Sequence, residues 1–350
     1  MKFFYAFLSK KFCKVKSEVY FPLKNFDFFM ILTITLNPLL ERRFYFNSIN
    51  VYEENRGFKE EIKAGGKGIN VSRQLNNFNI ENLAFTFLGG TNGKLFKEVL
   101  AREKIKFSFI HTKNETREAA VIIDSSKNKV TSFFAPNSLI NAGEVDEFKN
   151  KLEKMIENCE MVIFAGSSPC PEADSIFTYG IELANKYDKI SICDTYGNHL
   201  QNCIEKSPTI IHNNISEIEK SLKIDLKSEE QKLAFLKMLY EKGIKQAFLT
   251  DGGNIAYTSN FDFYFKIEIP SVKVIDATGS GDGFVAGVAY GWHQNLSYEK
   301  TLTIAVKLGA LNAASFDVCN VKKEELEMFT GNIEISSLGK KMKILDVTPR

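Results

Sequence analysis

The stretch Asp276-Ala277-Thr278-Gly279-Ser280-Gly281-Asp282-Gly283 carries the strongest chemical signal in this 350-residue chain. It runs straight into Phe284-Val285-Ala286-Gly287, an apolar segment with helical character. Glycines ahead of a helix let backbone N–H groups converge on an anion, and the helix N-terminus adds positive potential. Such a site suits charge that develops on a group in transit. Asp282 falls in the first turn, where a carboxylate stays ionised and can accept the proton of an attacking hydroxyl. Asp also caps helices for purely structural reasons, so this motif alone leaves chemistry and capping level.

A second run, Ala64-Gly65-Gly66-Lys67-Gly68-Ile69-Asn70, pairs glycines that permit close approach of a ligand with a point charge and an amide. Lys67 suits a phosphate, and Asn70 suits sugar hydroxyls. The plainer reading is a turn before an amphipathic helix, with a solvated lysine. It is not a Walker A loop, which needs GxxxxGK followed by Ser or Thr. The four histidines, at 111, 199, 212 and 293, show no ligand spacing, and the six cysteines include no CxxC pair. They read as reduced structural thiols.

The hydrophobic pattern says what must hold these motifs. Short apolar runs at 31–36, 83–88, 161–165, 190–193, 209–211 and 246–250 are nearly continuous. Continuous runs mean burial on both faces, as in a parallel sheet between helical layers. Helical spacing covers 144–158 and 232–242, with Gly243 as a stop, and later 282–293 and 298–316. The fold class is therefore α/β, a doubly wound sheet. Segments 43–63 and 105–134 break the alternation and read as successive strands, including a hairpin of 120–124 and 129–134. Together they predict a small β-sheet lid over one edge of the main domain.

Composition bounds the rest. Lys plus Arg numbers 45 against 43 Asp plus Glu, which lacks the basic excess of a nucleic-acid binder. No stretch reaches the ~20 apolar residues of a membrane helix. A cytoplasmic protein with neither nucleic-acid nor membrane partners is expected. Residues 1–29 stand apart, with six lysines against Glu18 and Asp27. They read as a loosely ordered basic extension, as sequence upstream of a true start at Met30, or as a membrane- or organelle-directing segment. One domain is expected over 30–330, followed by a C-terminal tail at 331–350.

Taken together, Thr35-Leu36-Asn37-Pro38, the Gly66–Asn70 run and the Asp276–Asp282 run, in this order and widely spaced, resemble the ribokinase-like sugar kinases. The likeness is to the 1-phosphofructokinase and tagatose-6-phosphate kinase branch and spans about 30–330. It implies a ribokinase-like three-layer α/β/α domain with a lid, ATP with Mg²⁺ as donor, and an aspartate base. By that resemblance Asp282 is the base, and Gly279, Ser280 and Gly281 form the anion hole. Lys67 and Arg117 grip the substrate's phosphate, with Ser167 of Gly166-Ser167-Ser168-Pro169 nearby. Gly66 and Asn70 meet sugar hydroxyls. Glu41 closes the first-strand motif where the branch usually has Asp, and it orients hydroxyls from one methylene further away. Asn214 and Glu217 match an Asn-x-x-Glu element tied to nucleotide and magnesium, Glu217 acting through water. Thr250, Gly252, Gly253 and Thr278 border the nucleotide, together with Gly281.

Two further departures accompany Glu41. A common Lys-Pro-Asn run reads His212-Asn213-Asn214 here, which removes a lysine close to the ATP phosphates. A lid arginine of some relatives is Ser132. Neither removes the base or the anion hole. The implied reaction phosphorylates a primary hydroxyl of a ketohexose phosphate. Fructose 1-phosphate is the first expectation, and tagatose 6-phosphate or fructose 6-phosphate the alternative. A catalytically silent sugar-phosphate sensor on the same fold is a rival of another class. A dinucleotide enzyme is disfavoured, because the first strand ends in Asn37-Pro38 and not in GxGxxG. The exposed lid edge leads us to expect a homodimer.

Overall fold

The computed structural model describes residues 31–339. The expectations for residues 1–29 lie outside the described residues. In chain order the strands are β1 (Ile31–Thr35), β2 (Leu39–Phe46), β3 (Lys59–Gly65), β4 (Asn82–Gly89), β5 (Phe107–Thr112), β6 (Glu118–Asp124) and β7 (Lys129–Phe134). There follow β8 (Met161–Gly166), β9 (Ile190–Thr195), β10 (Ile210–Asn214), β11 (Gln246–Asp251), β12 (Ile255–Asn260), β13 (Phe263–Glu268) and β14 (Glu334–Leu338). The helices are α1 (Lys67–Asn77), α2 (Gly90–Arg102), α3 (Ala142–Glu157), α4 (Pro171–Lys186) and α5 (Leu200–Glu205). The remainder are α6 (Ile215–Leu222), α7 (Glu229–Glu241), α8 (Ser280–His293), α9 (Tyr298–Ala313) and α10 (Lys323–Met328).

Apolar runs become central strands because both of their faces are covered. In β8, Met161, Ile163 and Ala165 turn toward one core, shared with α1, α8 and α9. Val162 and Phe164 turn toward the other, shared with α3, α4 and α7. The result is the expected three-layer α/β/α sandwich. Its main sheet has the order β14-β13-β12-β11-β10-β9-β8-β1-β4-β5. From β5 through β11 every neighbouring pair is parallel. The chain leaves β1 toward β4 on one side and later toward β8 on the other. Ligand crevices open at the carboxyl ends of strands at such a switch point.

A second sheet, β3-β2-β6-β7, forms the lid. Two expectations need correction here. The lid does not use all of 105–134, because Phe107–Thr112 pairs in parallel with β4 and becomes the edge of the main sheet. Its Phe107 and Phe109 pack beside the α2 core, and that burial settles the assignment. The expected tail at 331–350 supplies β14, which pairs antiparallel with β13. Its Ile335 packs against the core beneath α9, so the segment has an apolar anchor.

Helix α8 matters most for the site, and its packing is tight. A Cβ on Gly287 would lie 2.5 Å from the Cα of Ala305 on α9. The two helices therefore approach backbone to backbone, and this holds the start of α8 in place. We predict that Gly287→Val forces α8 off α9 and destabilises the protein by about 1–3 kcal/mol, as overpacked cores do. A thermal melt should show the lower Tm, with reduced activity in the fraction that stays folded.

Candidate active site

The crevice at the switch point is a cavity of about 230 Å³. Its walls come from the residues after β1, from the start of α1, from the end of β8, from the lid and from the turn before α8. Gly279 makes that last turn possible. Its φ is +78°, and a Cβ there would meet Val318 Cγ1 at 2.2 Å. The turn is braced from outside. Asp276 accepts from the N–H of Thr278 at 2.9 Å, and Asn312 Nδ2 donates to the Thr278 carbonyl at 2.8 Å. The Cys319 thiol reaches the Gly279 carbonyl. Within the turn, the Ser280 N–H donates to the Ala277 carbonyl at 3.1 Å. Gly281 and Asp282 lie in the first helical turn, whose N–H groups have no intrahelical acceptor.

Asp282 is 4% exposed, and its Oδ2 accepts from Asn70 Nδ2 at 2.7 Å. Asn70 is expected to meet sugar hydroxyls, yet both ends of its amide are engaged, since Oδ1 accepts from Arg73 at 2.8 Å. Lys67, expected to grip the substrate's phosphate, lines the cavity and is engaged by carboxylates. Its Nζ donates to Asp194 Oδ1 at 3.2 Å and to Glu217 Oε1 at 3.1 Å, and it lies 5.0 Å from the centroid of the Tyr196 ring. Burial works against that ammonium. Asp194, then Glu217, then Asp282 overcome it and hold its pKa above the ordinary lysine value. Asp194 is itself fully buried. Burial opposes its charge, but Lys67 and His212 hold its carboxyl below the usual range. His212 Nδ1 lies 3.0 Å from the same Asp194 oxygen, and its ring stacks on Phe284.

Arg117 is different in kind. It donates to the carbonyls of Asn37 and Pro38 and, at 3.0 Å, to Asn137 Oδ1. Among the described residues no ion pair forms with it, and burial lowers its pKa. Its positive charge is therefore uncompensated at the cavity wall. Asn37 Nδ2 links Asn137 Oδ1 and Ser167 Oγ, both at 3.0 Å, which joins Ser167 to the same corner. Glu41 faces the cavity with Oε2 gripped by Arg43 at 2.7–2.8 Å. Gly66, at φ +118°, lies where a side chain would strike Thr35, so its backbone borders the cavity directly.

Of the residues expected to border the nucleotide, Asn214, Thr250, Gly252 and Gly253 do not line this cavity. They lie along the same strand edge, where Asn214 pairs with Thr250 across β10 and β11. Glu217 completes a capping box with Asn214 while it holds Lys67. Gly252 and Gly253 form the exposed turn beyond β11, with open space around both. Thr278 does reach the cavity wall. Asp194, Tyr196, Arg43 and Asn137 are partners in the site that sequence reasoning missed. Asp194 and Tyr196 had one usable signal, their position at the carboxyl end of an apolar run.

The family model described as pfkB family carbohydrate kinase matches residues 40–325. The chain therefore belongs to the pfkB family of carbohydrate kinases and is an ATP-dependent sugar kinase, a phosphotransferase. Two tagatose-6-phosphate kinases, from two strains of Staphylococcus epidermidis, are each 29% identical to it over 310 residues. The match spans 87% of this chain and 99% of each relative. The crystal structure of a candidate phosphofructokinase from Staphylococcus aureus superposes with a TM-score of 0.74 at 26% identity, covering 89% of this chain and all of that one. A candidate 1-phosphofructokinase from Thermotoga maritima shares the fold, with a TM-score of 0.81 at 21% identity and coverage of 89% and 100%.

Burial pushes the Asp282 carboxyl up to about 7; Lys67 and the Asn70 hydrogen bond pull it down, while Asp194 pushes it further up. The folded value lies above the unfolded one. Its contribution to stability is therefore fully present below the unfolded pKa, near 4, and is lost as pH rises through about 7. Above that pH the folded protein carries a buried anion. We predict that Asp282→Asn raises Tm over the wild type, and that the gain is larger at pH 8 than at pH 5. An equal gain at both pH values in thermal melts would contradict the elevated pKa.

Proposed function

We propose that the protein transfers the γ-phosphate of ATP to a primary hydroxyl of a ketohexose monophosphate, yielding a 1,6-bisphosphate. The observation that carries this reading is one cavity holding both Asp282 and the uncompensated cation of Arg117. Arg117 receives the phosphate already on the sugar, with Ser167 beside it. Glu41, held still by Arg43, orients hydroxyls, and Gly66 lets the sugar approach the backbone. Asp282 takes the proton of the attacking hydroxyl, and a pKa near 7 suits a base at neutral pH. The new bond forms from that oxygen to the γ-phosphorus as the bond to the β,γ-bridging oxygen breaks, and ADP leaves.

The turn is expected to serve the transferring phosphoryl group through Gly279 and Gly281, because the Ser280 N–H is taken by the Ala277 carbonyl; their fixed dipoles stabilise its spread charge. Lys67, locked between Asp194 and Glu217, serves that group and not the sugar phosphate. Asn214, Thr250, Gly252, Gly253 and Thr278 border the nucleotide. Magnesium fits this edge. Asp194 Oδ2 is buried with no hydrogen-bond partner, and Glu217 accepts from Lys67 with Oε1 and from the Asn214 N–H with Oε2. Among the described residues no cluster of three or more potential ligands forms a protein cage. That suits an ion held chiefly by phosphates and water, with Glu217 at one remove. When bound, the ion neutralises charge on the ATP phosphates.

Fructose 1-phosphate remains the first choice of acceptor, and the tagatose-6-phosphate kinases among the relatives put tagatose 6-phosphate beside fructose 6-phosphate as the next. We also propose pairing of two copies through the lid. Its outer face carries Phe44 and Phe58 in edge contact, and Phe133 is 62% exposed. Among the described residues no helix is long and apolar enough to cross a membrane.

The test is ATP turnover with Mg²⁺ on the three sugar phosphates in parallel. One of them should turn over, and Asp282→Asn should lose about 10²-fold or more in kcat, the scale of a lost general base. Arg117→Gln should raise KM for the sugar phosphate with little change in KM for ATP. Binding of a sugar phosphate without turnover would favour the sensor reading. In sedimentation, Phe133→Glu should shift the protein toward monomer.

A further inference from the structure

Asn70, with Glu41 and Arg43, lines both the cavity and a second recess of about 220 Å³. Arg73 and Glu103 line that recess and do not line the first. We propose that Arg73, anchored by Glu103, is a positioning residue for phosphoryl transfer, which acts by fixing the Asn70 amide with its NH₂ end toward Asp282. The inference rests on the reading of Asp282 as the proton acceptor.

The geometry leaves the amide one orientation. A carboxamide can present either its oxygen or its nitrogen, and its surroundings must choose. A guanidinium has donors only, so the end that meets Arg73 Nη1 at 2.8 Å is the Asn70 oxygen. The nitrogen must then face Asp282, where it donates to Oδ2 at 2.7 Å. Arg73 is set independently of the substrate. Its Nε donates to Glu103 Oε2 at 2.8 Å, its Nη2 to the Ala64 carbonyl at the root of the lid, and its Nη1 also to the Val318 carbonyl at 3.4 Å. Val318 is the residue that crowds Gly279. One guanidinium therefore ties α1 to the lid root, to the end of α2 and to the loop behind the anion-hole turn.

Released from Arg73, the amide can rotate and turn its oxygen to the carboxylate. Lone pair would then face lone pair, which favours the protonated acid and a weaker supply of ionised base. The charged and titratable groups facing Asp282 are Lys67 from α1, Asp194 from β9, Glu217 from α6 and Cys319 from the loop after α9. His212 from β10 packs against neighbouring Gly281. None of these contacts Arg73 by hydrogen bond or ion pair among the described residues, although its charge is felt at Cys319; its hydrogen-bonded route to Asp282 is Asn70.

The experiment is steady-state kinetics across about pH 5.5–9 on the full chain, with Tm recorded for each variant, since a general base shows as an acidic limb in the rate. Arg73→Gln should lower kcat about tenfold or more, leave KM for ATP nearly unchanged, and move the acidic limb upward by about one pH unit. Glu103→Gln, further from the chemistry, should move it the same way by less. Arg73→Lys, which keeps a donor to Asn70, should recover part of the rate. A purely structural Arg73–Glu103 pair would lower Tm and leave the pH limb in place, and that result overturns the proposal. Should Arg73→Gln fail to fold, Glu103→Gln decides by the same criterion. Wild-type turnover by Asp282→Asn would instead remove the base assignment, and the proposal with it. An inactive Asp282→Asn beside wild-type-like Arg73 and Glu103 variants would overturn the positioning role alone.

Discussion

A single buried carboxylate constrains most of what surrounds it. Asp282 sits at the N-terminal turn of α8 with almost no exposure, so its charge must be met from the protein or withheld by protonation. The structure does some of each. Asn70 donates to it, Lys67 lies close enough to favour ionisation, and burial with Asp194 pushes the other way. The balance leaves a group that can change protonation near neutrality. Helix α8 must be held firmly for that balance to persist, and glycines at its contact with α9 let the two backbones approach closely.

The two cations of the site divide their tasks by their partners. Lys67 faces two carboxylates and is neutralised in place. Its position is well determined, and its remaining field is short-ranged. Arg117 meets only carbonyls and an amide oxygen, so its charge is available to an anion that enters the cavity. An uncompensated half-buried cation is costly without a ligand and rewarding with one. The Glu41–Arg43 pair represents a third solution, in which a carboxylate on the lid is held in one orientation by its own strand neighbour. Arg43 also donates to the carbonyl of Phe316 at 2.7 Å, so the lid is fastened to the loop that backs the glycine turn before α8.

The fold was largely legible because its strands are buried on both faces and advertise themselves as apolar runs. The runs at 31–36, 161–165 and 246–250 all emerged as interior strands, the first two parallel to both neighbours and the last parallel to β10 and antiparallel to β12. The misassigned pieces were at edges. Phe107–Thr112 mixes buried Ile110 with half-buried Phe107 and Phe109 and exposed His111, so its pattern could not say which of two sheets it joins. Glu334–Leu338 is short and half exposed, and its pairing depends on β13 being present beside it. Edge strands take their identity from neighbours and carry less of it in their own residues.

Local chemistry is what the sequence by itself determined. The glycines that permit the turn before α8, the aspartate in its first turn and the glycine-lysine run entering α1 are all set by neighbours within a few residues. Those motifs require particular residue types at particular backbone positions. Only the tertiary structure decided which groups answer one another. Lys67 meets Asp194 and Glu217 across 127 and 150 residues, and Asn70 meets Asp282 across 212. Charge pairing and amide orientation depend on distances of a few ångströms, and those distances exist only once the strand ends are brought to one edge of the sheet.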